Sequence, residues 1–113
     1  MIRVTFYETS DHVIKRCVME GHADYADRGK DIVCSAVSML FINTVNCIEE
    51  LAKEPYHLDT DKKKNRYDFS FVAKEPNHDA RLLMDSLYFG LVKVHEQYGS
   101  EYLKITLKEV QVI

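Results

Sequence analysis

At 113 residues the chain holds one hydrophobic core and not two, so it reads as a single domain, 1–113. Apolar residues make up 46% and charged residues 29%, which excludes a disordered chain; a core of this size also needs no disulfide or metal staple. With 15 Lys and Arg against 18 Asp and Glu, the net charge of −3 argues against a general nucleic-acid binder, whose affinity rests on neutralising phosphates.

The first residues, Met1-Ile2-Arg3-Val4-Thr5-Phe6, alternate apolar and polar, which predicts a half-buried strand and not the apolar stretch of a signal peptide. No unbroken apolar run approaches the length of about 20 residues that spans a bilayer, so the expectation is a cytoplasmic protein without a membrane anchor. Thr9 to His12 is a turn cluster, and Val13 to Met19 reads as a second strand that closes an N-terminal hairpin. Gly21 to Lys30 lacks an apolar period and holds two glycines, which predicts a loop.

From Ile32 to about Lys53 the period becomes helical, with Val33, Val37, Leu40, Phe41, Thr44, Ile48, Leu51 and Ala52 at spacings of three and four. Asp31 is placed to cap this helix and Pro55 to end it. Tyr56 to Thr60 and Arg66 to Val72 alternate around a charged tip, Asp61 to Asn65, and form a second hairpin. Asn77 or Asp79 caps a second helix with Leu83, Leu87, Leu91, Val94 and Tyr98 on one stripe and Gly99 as its stop. Leu103, Ile105 and Leu107 alternate through a last strand. The expected fold is α+β, two helices packed on one face of a mostly antiparallel sheet in the order ββαββαβ.

Three cysteines, Cys17, Cys34 and Cys47, show no C-x-x-C spacing, so free thiols are expected, with no metal site and no cofactor. A helix beginning near Asp31 puts Cys34 in its first turn, where unpaired backbone N–H groups and the helix dipole favour an anion such as a thiolate. Lys30 acts in the same direction; Asp31 opposes it unless its carboxylate serves as the cap. His22 precedes Cys34 by twelve residues, and a glycine-bounded loop can fold back to bring imidazole and thiol within proton-sharing reach. Asp31 has two readings, helix cap or third catalytic member orienting the imidazole.

Cys17 and Cys47 read as packing thiols. His12, His57, His78 and His95 have no i,i+4 pairing on one helix face that would suggest a metal. The Lys62-Lys63-Lys64 run reads as a solvated hairpin tip. Tyr67, Phe69 and Phe71 alternate as core positions of a strand, the default over a second reading in which they line a groove for an aromatic substrate side chain. Tyr25, an aromatic in a polar loop, is a candidate substrate contact, and Gly21 and Gly29 are candidate hinges.

The segment Gly21-His22-Ala23, Tyr25-Ala26 and Gly29-Lys30-Asp31-Ile32-Val33-Cys34-Ser35-Ala36-Val37-Ser38 resembles the signature of the ribosomal-processing cysteine proteases, the Prp or YsxB-like family. Asp24 stands where that family has a small residue, and Ser35 where Ala is common. The resemblance implies His22 as base and Cys34 as nucleophile; Gly21, Tyr25, Gly29 and Ser38 are the candidate substrate-binding residues. It also implies a homodimer, a mobile loop between His and Cys, and a defined substrate. That substrate is the N-terminal extension of a large-subunit ribosomal protein, cut after an aromatic residue and before a small one. Two rival classes remain open on the residues themselves: a non-catalytic ribosome-assembly or protein-binding module, and a thiol hydrolase acting on a small molecule.

Overall fold

Every second residue of the first strand is apolar, and Ile2, Val4 and Phe6 are buried accordingly. The computed structural model describes residues 1–21 and 28–110, without the side chains of 28–31. Its elements are β1 (Ile2–Glu8), β2 (Ile14–Glu20), α1 (Arg28–Cys47) with a π-helical continuation over Ile48–Ala52, β3 (Tyr56–Asp61), β4 (Arg66–Phe71), α2 (His78–Tyr98) and β5 (Leu103–Glu109). The order is the expected ββαββαβ.

The strands form one sheet ordered β3-β4-β2-β1-β5, antiparallel throughout except that β5 joins β1 in parallel. A parallel neighbour requires a crossover, and α2 supplies it. In the first hairpin Tyr7 faces Arg16 and Glu8 faces Ile14, so Lys15 is the extra residue of a bulge. The bulge keeps both Ile14 and Cys17 on the core side. It also frees the Lys15 ammonium to donate to the carbonyls of Ala73 and Lys74.

Both helices cover the same face. Val33, Val37 and Phe41 of α1 and Met84, Leu87 and Leu91 of α2 close over Phe6, Cys17, Phe69 and Leu103 in one continuous core. The Phe6 and Tyr88 rings meet edge to face with centroids 5.1 Å apart. Where the helices meet, a Cβ on Gly90 would stand 3.4 Å from a Leu40 methyl. On the uncovered face the Arg16 guanidinium grips Asp68 through two hydrogen bonds of 2.8 and 2.5 Å and lies over the Tyr7 ring.

α2 begins as expected at Asn77, whose side chain accepts from the Ala80 N–H at 2.8 Å, and stops at Gly99 with φ +85°. α1 departs from expectation at both ends. It starts at Arg28, so it takes in Gly29, Lys30 and Asp31, which the absence of an apolar period had assigned to loop and cap. A first turn needs no buried face, which explains why periodicity missed it. At the other end the π-helical turn adds a residue to the repeat; Lys53 then closes it in the left-handed region, two residues before Pro55. The added residue rotates Leu51 to the surface, 72% exposed, instead of into the core.

The helical stretch Ile32–Ala52 is also long and apolar enough, by length and composition, to cross a membrane, contrary to the reading from unbroken runs. Polar but uncharged Ser35, Ser38, Asn43, Thr44 and Asn46 interrupt the apolar residues without adding charge. Its apolar side lies on the sheet: Val33, Val37, Phe41, Val45 and Ile48 are all buried there.

Candidate active site

β2 delivers the chain to Gly21 at one end of the sheet. Gly21 has φ +92°, a conformation that L side chains rarely adopt, and a Cβ there would run into the Met1 carbonyl oxygen. Its N–H donates to the Asn65 carbonyl at 3.2 Å, tying the end of β2 to the tip of the β3–β4 hairpin. The position before His22 is therefore fixed by β1 on one side and by that hairpin on the other. His22 and Tyr25 themselves lie outside the described residues.

Cys34 is the seventh residue of α1 and not a member of its first turn. The backbone N–H groups of α1 without helical partners are those of positions 28–30, about one turn before it. Side chains on a helix lean toward its N-terminus, so the thiol is directed back over that turn. Cys34 is partly buried and packs against the core.

Asp31 is the fourth residue of α1, which removes it from the N-cap position expected of it. Gly29 is helical, which removes it as a loop hinge. Positions 31, 34 and 38 follow the i, i+3, i+7 spacing and so share one stripe of α1.

That stripe continues into a cavity of about 200 Å³ between α1 and the β3 side of the sheet. Ser38, Phe41, Ile42, Val45 and Asn46 of α1 form one wall; Met19, Tyr67, Leu58 and Thr60 form the other. The lining is mostly apolar, and Leu58 and Ile42 stand at the rim, 38% and 52% exposed. Among the described residues β3 is the edge of the sheet on this side, and its Leu58 and Thr60 close the outer wall of the cavity. Ser38 thus lies at the end of the cavity nearest Cys34. The alternation of Leu58 and Tyr67 was visible in the sequence; the cavity they line was not.

The other two thiols are placed differently. Cys17 is sealed in the core with 0% exposure, and burial pushes its thiol well above the ordinary cysteine range. Cys47 is only partly buried, short of the packing role expected of it, and its thiol lies 3.9 Å from Asn43 Oδ1. Thirteen residues separate it from Cys34, about 20 Å along a helix.

Known proteins resemble this chain over nearly its full length. A family model described as cysteine protease Prp matches residues 1–104. The ribosomal processing cysteine protease Prp of Staphylococcus aureus strain Mu50 is 27% identical over 108 residues, covering 96% of this chain and 100% of that protein. The protein of the same name from Bacillus subtilis strain 168 is 28% identical over 109 residues, covering 94% and 96%. A crystal structure of the S. aureus protease with a substrate peptide superposes with a TM-score of 0.87 at 26% identity, over 96% of this chain and 100% of that one. A second, carrying a covalently linked product peptide, gives a TM-score of 0.85 at 27% identity with the same coverage.

Proposed function

The chain belongs to the cysteine protease Prp family, and from that premise we propose that it removes the N-terminal extension of a large-subunit ribosomal protein, with Cys34 as nucleophile and His22 as general base. The relatives are named for ribosomal processing, and one S. aureus structure carries a covalently linked product peptide. A covalent link to a peptide calls for a nucleophile with access to an extended chain. The observation that carries the assignment is the stripe through positions 34 and 38, which runs from the first turn of α1 into an open apolar cavity. Cys17 has no access, and Cys47 lies at the far end of the helix.

In this reading His22 takes the proton from the Cys34 thiol, and the sulfur attacks the scissile carbonyl. Backbone N–H groups in the first turn of α1 hold the developing oxyanion, since they have no helical acceptors. His22 then protonates the departing amine, and water, deprotonated by the same imidazole, releases the acyl group. Asp31, no longer needed as a cap, is assigned to orient the His22 imidazole. Gly21 holds the end of β2 immediately before His22 in sequence, and Ser38 meets the substrate.

The test is incubation of the purified protein with the ribosomal-protein precursor, read by intact mass. Cys34→Ala abolishes cleavage and Cys34→Ser nearly does, while Cys17→Ala and Cys47→Ala stay within a few fold of the parent. Alkylation of Cys34 slows in His22→Ala. An active Cys34→Ala protein rules the assignment out.

A further inference from the structure

We propose that the cavity between α1 and β3 receives one large apolar side chain located three or four residues from the scissile bond, and so reads a part of the substrate remote from the cut. The proposal rests on Cys34 being the attacking group. Its basis is distance. The α1 residues on the cavity wall run from Ser38 to Asn46, with Ile42 at the middle. At a rise of 1.5 Å per residue, Ile42 lies about 12 Å along the helix from Cys34. An extended peptide advances about 3.3 Å per residue, so a chain attacked at Cys34 and running beside α1 reaches the middle of the cavity with its third or fourth residue. The residues that flank the broken bond fall short of it.

Two features make an extended peptide the fitting occupant. Among the described residues β3 is an edge strand, paired with β4 alone, so its outer backbone donors and acceptors face another strand's approach. The cavity lies directly beneath that edge, with Leu58 and Thr60 of β3 on its wall. Its volume of about 200 Å³ suits one leucine or phenylalanine side chain, given that a dry cavity of about 150 Å³ holds benzene. Tyr67, Phe41 and Ile42 offer such a side chain apolar contact.

The experiment scans peptides that span the cut, replacing leucine by alanine at each of the four positions on either side. It measures kcat/KM with the active protein and Kd with Cys34→Ala. A third or fourth position prefers leucine about ten- to a hundredfold, mainly in KM and in Kd. Thr60→Phe, which fills the cavity from an exposed strand, and Ile42→Asp, which places a charge at its rim, each reduce that preference to threefold or less. A leucine preference confined to the residues beside the cut, or one that survives both variants, overturns the proposal. Peptides bound and cleaved by a protein that still acts without its Cys34 thiol overturn the underlying reading instead.

Discussion

Gly21 owes its place in the fold to its backbone and not to a side chain. With φ +92° and the Met1 carbonyl oxygen where a Cβ would go, this position accepts only glycine without rearrangement. Gly21→Ala must move either β1 or the start of the segment that carries His22. The expected outcome is a fall in kcat of about tenfold or more, with a loss of stability of about 1–3 kcal/mol, checked by single-turnover cleavage beside urea denaturation. At this scale the sequence named candidates, of which Asp31, Cys34 and Ser38 fall on α1. Cys34 was named for its place near a helix start and Ser38 through the family resemblance, and a spacing of four puts the two on one face of α1 wherever the helix starts. Whether positions 29 and 31 belong to loop, cap or helix was less legible. It depends on where the first turn begins, and polar first turns carry no period to mark it.

The elements followed from periodicity and punctuation where both were strong. Asn77 marks the start of α2, and the structure gives it more to do than a cap. Its side chain accepts from the Ala80 N–H at 2.8 Å and donates to the Ala52 carbonyl at 2.9 Å, while its own N–H donates to the Glu54 carboxylate at 2.6 Å. One residue thus fastens the start of α2 to the end of the π-helical turn. Asn77→Ala is expected to cost about 2 kcal/mol, at the upper end for a cap, because a carbonyl partner goes with it. Asn77→Asp keeps the cap acceptor and loses the amide donor, so its midpoint falls between the two in chemical denaturation. The π-helical turn itself was invisible in the sequence. A one-residue addition to the repeat leaves the apolar pattern readable as an ordinary helix, and so Leu51 was assigned to the core while the structure exposes it.

Across the whole molecule, two helices close one face of the sheet and leave the other to polar side chains. There Asp68 accepts two hydrogen bonds from Arg16 and has Arg66 at 3.6 Å, which holds its carboxyl below the ordinary range. A depressed carboxylate stabilises the fold above its unfolded value of about 3.9, and the contribution is lost as pH falls through the lower folded value. The parent is therefore expected to exceed Asp68→Asn by about 1 kcal/mol at pH 7, an amount kept small by the partial exposure of Arg16. The gap closes as pH falls below about 4, read from denaturant midpoints across a pH series. Alternation and helical spacing, local properties of the chain, determined the seven elements, their order and the stripe that carries Cys34. The parallel pairing of β5 with β1, the open edge at β3 and the cavity beneath it were decided only in three dimensions. They depend on which strands lie side by side and how far a helix reaches across them, and no local pattern encodes that distance.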